Sequence, residues 1–91
     1  MFIAIAVHHV VPEHKEAMKA FMTTVTETVA GTPGLIEFGG YEEQGGKLVG
    51  LSKWESPEAF QAAFPVIMST SDQRRPEWTS APDDLLAATA F

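Results

Sequence analysis

The sequence predicts an α+β fold, a ferredoxin-like βαββαβ sandwich whose four-stranded antiparallel sheet carries both helices on one face. Two observations support this class. Apolar runs of strand length alternate with two segments whose apolar residues recur at helical spacing. In addition, a chain of 91 residues suffices for one domain only, so residues 1–91 are expected to form a single unit.

The first half of the chain has the order strand, helix, strand. Residues 2–10, FIAIAVHHV, are almost wholly apolar and predict the first strand. Pro12 suits the first turn of a helix, and Gly31 supplies its end. After a Thr-Pro-Gly turn, residues 35–42, LIEFGGYE, predict the second strand. The apolar stripe of the helix consists of Met18, Phe21, Met22, Val25 and Val29.

The second half repeats this order. A Gln-Gly-Gly turn leads into the third strand, residues 47–54, KLVGLSKW. Ser56 is placed to cap a second helix that begins at Pro57. Pro65 is expected to kink that helix or to divide it into two short pieces. Residues 85–91, LLAATAF, predict the last strand.

Both faces of the predicted sheet are apolar, although the two helices can cover only one of them. The first strand shows this in its alternating sets, Ile3, Ile5 and Val7 on one side and Phe2, Ala4 and Ala6 on the other. We therefore expect a homodimer in which two sheets pack face to face as a dimeric α+β barrel. A domain this small also gains needed stability from association.

Composition and charge argue against several classes of function. Twelve acidic residues against six basic ones give a net charge of −6, which disfavours a nucleic acid partner. The absence of cysteine excludes disulfides, thiolate zinc sites and a cysteine nucleophile. No apolar run approaches the ~20 residues of a membrane helix. Because the N-terminus also lacks the features of a signal peptide, we expect a cytoplasmic protein without a membrane partner.

Two stretches resemble the antibiotic biosynthesis monooxygenase superfamily of dimeric α+β barrels. Residues 32–64, TPGLIEFGGYEEQGGKLVGLSKWESPEAFQAAF, share a Pro-Gly turn, an apolar third strand closed by tryptophan, and Ser-x-Glu-Ala-Phe at the second helix. Residues 8–22, HHVVPEHKEAMKAFM, are similar to the family's first strand and helix. The resemblance implies a cavity between sheet and helices. It also implies, for oxidative members, hydroxylation of multi-ring phenols by O₂ without metal or flavin; other members degrade haem or isomerise lactones.

The sequence also departs from the family pattern. Oxidative members use an asparagine to hold the oxygenated intermediate, but this chain has no asparagine, and Gly50 stands where some members carry it. Phe60 occupies an aromatic position that can be tyrosine in the family. The second helix contains no histidine, so the axial ligand of the haem-degrading branch is missing.

His8 is the candidate catalytic residue. Alternation along the first strand places it with Ala4 and Ala6, so its imidazole could face the cavity and accept a phenol proton. The alternative is a polar strand end without chemistry. A metal site is not expected, because His8 and His9 are adjacent on a strand and point to opposite faces.

Trp54 shares a strand face with Gly50 and Ser52, and its indole could stack on an aromatic ring as a wall of the pocket. The alternative is that it merely plugs the junction between strand and helix. Residues 69–84 could form a lid on the pocket or a solvated loop. The further candidates for substrate binding are Tyr41, His9, Phe60, Arg75 and Trp78.

The resulting hypothesis is a cofactor-independent monooxygenase that acts on a small phenolic or quinol-type aromatic. His8 would be the base, Trp54 the stacking wall, and Tyr41 or an arginine the polar anchor. Two other functions stay open, because fold does not establish function. One is a dimeric small-molecule binding or accessory protein, and the other is an isomerase or cyclase that uses the same base without oxygen.

Overall fold

Four antiparallel strands form one sheet in the order β2-β3-β1-β4. In the computed structural model, which describes residues 1–91, the strands are β1 (Phe2–His8), β2 (Leu35–Glu42), β3 (Leu48–Trp54) and β4 (Asp84–Thr89). The helices are α1 (Lys15–Val29) and α2 (Pro57–Met68). This architecture confirms the predicted ferredoxin-like class, whereas the pairing of two sheets in a dimer stays a prediction.

Element boundaries follow the sequence pattern to within three residues; β4, for example, covers Asp84–Thr89 and not residues 85–91. β1 ends at His8, two residues earlier than predicted, because Val10 makes only an isolated bridge to Thr79. The division of α2 at Pro65 is wrong, since the helix continues to Met68. Proline removes one backbone hydrogen bond, but both Pro65 and Gln61, four residues earlier, are exposed, so that water can serve the freed carbonyl.

The turn before β2 is locked directly to the start of α2. Gly34 has a φ of +82°, and a Cβ on it would lie 2.5 Å from the Cβ of Ala59. Glycine is therefore required both by conformation and by space. In the same place Ser56 caps α2 as predicted, its Oγ accepting a hydrogen bond of 3.2 Å from the Ala59 amide. The Pro-Gly turn and the Ser-Pro-Glu-Ala sequence thus belong to one packed junction.

The pairing register defines the two faces of the sheet. The inner face, which the helices cover, is shown by the opposed pairs Phe2 and Trp54, Ala4 and Ser52, Ala6 and Gly50, and His8 and Leu48. On the outer face lie the alternate residues of the same strands, which no helix covers. Only nine of the 91 residues are buried, so the isolated chain has a small core. No helix is long and apolar enough to cross a membrane.

Candidate functional site

A largely apolar cavity of about 510 Å³ lies between the inner face of the sheet and the two helices. Small residues of β1 and β3 form its floor: Ala4, Ala6, Gly50 and Ser52. Apolar side chains of the helices form its walls: Phe21, Met22, Val25, Phe60, Phe64 and Ile67. The cavity expected between sheet and helices is therefore present, and its size and lining suit a small apolar ligand.

Two glycines leave part of this floor as bare backbone. Gly40 of β2 and Gly50 of β3 are cross-strand neighbours. A Cβ on Gly50 would lie 3.8 Å from both His8 Nε2 and Met22 Cε, and a Cβ on Gly40 would lie 3.4 Å from Met22 Cε. The absence of a side chain at position 50 therefore keeps open the space directly beside His8 Nε2.

His8 is a buried imidazole at the polar end of this cavity. It is the last residue of β1 and is 9% exposed. Its Nδ1 lies 3.0 Å from Oδ1 of Asp83, although the ring nitrogen is not well aligned for a hydrogen bond to it. The other nitrogen, Nε2, lies beside Gly50. The ring thus faces a carboxylate with one nitrogen and the open floor with the other.

Arg74 holds the Asp83 carboxylate from the other side. Its Nη1 donates to Asp83 Oδ2 at 2.6 Å and its Nη2 donates to Asp83 Oδ1 at 2.8 Å, a bidentate ion pair. Burial alone would raise the pKa of Asp83, but the hydrogen bonds from Arg74 and the nearby His8 ring outweigh it and hold the pKa below its ordinary value of 3.8. Asp83 therefore stays ionised beside His8 at neutral pH.

Of the predicted site residues, His8 and Phe60 line the cavity. Trp54 does not, and its interpretation as a wall of the pocket is corrected. It is fully buried, its Nε1 donates to Ser52 Oγ at 2.8 Å, and its ring meets Phe60 edge-on at 5.7 Å. With its N–H satisfied and its faces packed, Trp54 plugs the junction between strand and helix, the alternative that the sequence left open.

Tyr41 and His9 are also placed away from the cavity. Both belong to the outer set of strand residues, Tyr41 opposite Val49 and His9 beyond the end of β1. The hydroxyl of Tyr41 donates to Glu37 Oε1 at 3.0 Å, and this bond raises the pKa of Tyr41. His9 Nε2 lies 2.8 Å from Asp84 Oδ2. Neither side chain is available to a ligand bound at the inner face.

Arg75 and Trp78 complete the set of predicted residues, and neither lines the cavity. Arg75 is exposed, and the Trp78 ring packs edge-on against Phe21 with centroids 6.4 Å apart. The neighbouring Arg74 takes the place proposed for Arg75, because Arg74 is the one that reaches Asp83. Sequence reasoning missed Asp83 altogether. No pattern in the sequence identifies it, because Asp83 comes level with His8 only through the pairing of β4 with β1, in which Asp84 opposes Val7.

A second and shallower cleft of about 330 Å³ lies between α1 and the end of β2. Tyr41 lines it together with Lys19 and Glu42. Glu42 already pairs with Lys15 at 3.0 Å and with Lys19 at 2.9 Å, so the charges of this cleft are mutually satisfied. No group of three or more histidine, aspartate or glutamate side chains in the chain could hold a metal ion. The larger cavity is therefore the candidate site.

Solved structures share this fold over nearly the whole chain. Rv0793 from Mycobacterium tuberculosis is 19% identical with a TM-score of 0.84, over 99% of this chain and 94% of that one. A candidate antibiotic biosynthesis monooxygenase from Nitrosomonas europaea is 15% identical with a TM-score of 0.80, over 100% and 99%. The heme-degrader MhuD from Mycobacterium tuberculosis, solved with two hemes in its active site, is 22% identical with a TM-score of 0.75, over 96% and 92%.

Neither a protein-family model nor a curated protein sequence matches the chain. The structural neighbours therefore confirm the fold to which the sequence resemblance pointed, including its occurrence among antibiotic biosynthesis monooxygenases. At these identities they establish the shared fold alone, and the chemistry has to be argued from the residues of the cavity.

Proposed function

We propose that the chain is a monooxygenase that oxidises a phenolic or quinol-type aromatic compound with O₂ and requires neither metal nor flavin. The observation that supports this most directly is the buried His8, whose Nε2 adjoins an apolar cavity of about 510 Å³. An apolar cavity with one imidazole at its polar end suits a flat, mostly apolar molecule with one acidic proton.

In this mechanism the substrate itself supplies the electrons. His8 Nε2 accepts the acidic proton of an anthrone-like or phenolic substrate, and the apolar walls exclude water from the anion that forms. The electron-rich anion reduces O₂ and forms a carbon–oxygen bond. For a methylene carbon oxidised to a carbonyl, four electrons pass to O₂: one oxygen atom stays in the product and the other leaves as water. The aromatic side chains Phe21, Phe60 and Phe64 supply faces for ring packing.

The first test is oxygen uptake by chelator-treated protein offered a panel of anthrone-like and hydroquinone-like compounds. We expect uptake above the rate in buffer. In His8→Ala the rate should fall by about 100-fold or more, since a general base contributes ~10²–10⁴. His9→Ala is the matched control, because it removes a neighbouring imidazole from the other face. Equal rates in wild type and His8→Ala would refute the assignment of the base.

One observation favours a second candidate. No asparagine or glutamine side chain lines the cavity, so the amide donor that the family resemblance led us to expect is missing. The same site would then bind an aromatic molecule, or isomerise it through His8, without consuming oxygen. Calorimetric binding of panel compounds in the absence of any oxygen uptake would select this second function.

Haem, which MhuD binds, does not fit the residues of this cavity. The side chains that α2 turns toward it are Phe60, Phe64, Ile67 and Met68, none of them an imidazole. The one imidazole in the cavity, His8, lies in the sheet beside Asp83 and close above the floor at Gly50. Haem therefore has no part in the proposed reaction.

We further propose that the chain forms a homodimer through the outer face of the sheet. Leu86, on that face of β4, is 58% exposed, and it continues a row with Ile5 and Leu51 across the sheet. An exposed apolar face on a chain with so small a core calls for a partner of the same kind. Sedimentation should show a dimer at micromolar concentration and a monomer for Leu86→Glu. A monomeric wild type would refute this interface.

A further inference from the structure

We propose that Asp83 is the positioning residue of the site: clamped by Arg74, it keeps a proton on Nδ1 of His8 and so leaves Nε2 as a proton acceptor in the cavity. This inference rests on the role proposed for His8. It concerns an arrangement of three side chains, His8, Asp83 and Arg74, that converge from β1 and from the segment between α2 and β4.

The distance between His8 and Asp83 decides which nitrogen carries the proton. Nδ1 and Oδ1 are 3.0 Å apart. If the proton of the neutral ring were on Nε2, the lone pair of Nδ1 would face an ionised oxygen at this distance, which is repulsive. With the proton on Nδ1 the contact is attractive, even though the present alignment is short of an ideal hydrogen bond. The carboxylate therefore favours the tautomer whose Nε2 is a free acceptor.

Arg74 makes the carboxylate a fixed partner rather than a mobile one. Its two hydrogen bonds to Asp83, at 2.6 and 2.8 Å, define the plane of the carboxylate. A further contact of 3.4 Å from Arg74 Nη2 to Thr79 Oγ1 supports the guanidinium. Oδ1 of Asp83 contacts both Arg74 and His8. The guanidinium therefore influences the orientation of the imidazole indirectly, through the carboxylate that it holds in place. Arg74 is thus a positioning residue as well.

The test reads the tautomer directly, by two-bond ¹H–¹⁵N correlation spectra of the uniformly labelled protein at about pH 8, where free histidine side chains are neutral. We expect the His8 ring to show the pattern of a protonated Nδ1 in wild type. Asp83→Ala removes the carboxylate, and the spectrum should no longer show Nδ1 as the protonated nitrogen. Arg74→Gln keeps the carboxylate but frees it to move, so the fraction of rings protonated on Nδ1 should fall. A wild-type ring protonated on Nε2, or an unchanged ring in Asp83→Ala, would overturn the proposal.

Asp84→Ala is the matched control, since it removes the carboxylate beside His9 and should leave the His8 pattern unchanged. The wild-type spectrum alone tests the assignment even where Asp83→Ala does not fold. On an active substrate, Asp83→Ala should lower kcat about 10- to 100-fold with little change in KM, part of the contribution of a general base. A protonated Nδ1 without oxygen uptake would show that the proposed function fails while the positioning role stands.

Discussion

Two histidine–aspartate pairs lie one residue apart at the ends of β1 and β4, and they face opposite sides of the sheet. In the inner pair, His8 and Asp83, the side chains are 11% and 19% exposed; in the outer pair, His9 and Asp84, they are 22% and 68% exposed. The distances are almost equal, at 3.0 and 2.8 Å. The same two residue types therefore acquire different surroundings through strand parity alone.

The inner pair differs from the outer pair in the groups that surround it. Only Asp83 has an arginine on its second side, and only the inner pair lines the apolar cavity. The outer pair has ion-pair geometry without desolvation or a third partner, which is the usual condition of a surface contact. Both histidines have a carboxylate neighbour, so that contact does not identify a catalytic base. The apolar cavity next to His8 is what makes it the candidate.

The largest difference between the two faces is expected in ligand affinity, when a glycine on each face is replaced by a larger residue. Gly50→Val would place methyl groups next to His8 Nε2 on the cavity floor, whereas the Cβ of Gly39→Ala would lie nearest to Tyr41 on the outer face. An extra methylene in a hydrophobic pocket costs about 1–3 kcal/mol of ligand binding, so the Gly50→Val variant should bind an anthrone-type compound roughly 10- to 200-fold more weakly. Calorimetric titration measures this, and equal affinities for the two variants would contradict the placement of the ligand.

The two aspartates should differ in their effect on stability. Asp83→Ala leaves Arg74 without its bidentate partner in a partly buried site, and should lower the free energy of unfolding by about 2 kcal/mol. Asp84→Ala should change it by less than about 0.5 kcal/mol. Urea denaturation at pH 7 measures both. Equal losses would mean that the inner pair is no better ordered than the outer one.

Acidification should remove the contribution of Asp83 to the free energy of unfolding. Because the folded state lowers the pKa of Asp83 below 3.8, its contribution to stability is present above that pH and is lost as the pH falls through the lowered value. The difference in unfolding free energy between wild type and Asp83→Asn should therefore shrink as the pH falls from about 5 through the titration of the Asp83 carboxyl group. A difference that grows over this pH range would contradict a lowered pKa of Asp83 in the folded state.

The smallest effect is expected for Tyr41→Phe on the outer face. The mutation removes one exposed hydrogen bond to Glu37 and no contact in the cavity. Stability should change by less than about 0.5 kcal/mol, and ligand affinity should not change. A clear loss of affinity in the same calorimetric titration would return Tyr41 to the substrate site as first predicted.

Periodicity explains what the sequence could show. Alternation along β1 correctly joined His8 to Ala4 and Ala6 on the helix-covered face, and helical spacing and caps located α1 and α2 within a few residues. The same alternation put Trp54 near small residues but could not show that Ser52 takes its N–H. That depends on a rotamer, which follows from packing and not from pattern.

Arg74 and Asp83 lay beyond this reasoning for a different reason. The segment between α2 and β4 has no repeating period, so nothing in it distinguishes Arg74 from Arg75. Asp83 becomes a neighbour of His8 only through the pairing of the first and last strands, a contact across most of the chain. Such long-range register is set by the fold as a whole.

The cavity also allows ligand binding to be measured through the thermal stability of the protein. An apolar space of about 510 Å³ in a 91-residue chain deprives its lining of packing partners, and a compound that fills it stabilises the native state alone. At a concentration of 100 Kd the gain is about 2.7 kcal/mol, and in a domain of this size each kcal/mol shifts the melting temperature by roughly 4–8 °C. Melting curves recorded against a library of compounds would thus rank substrates before any turnover is known.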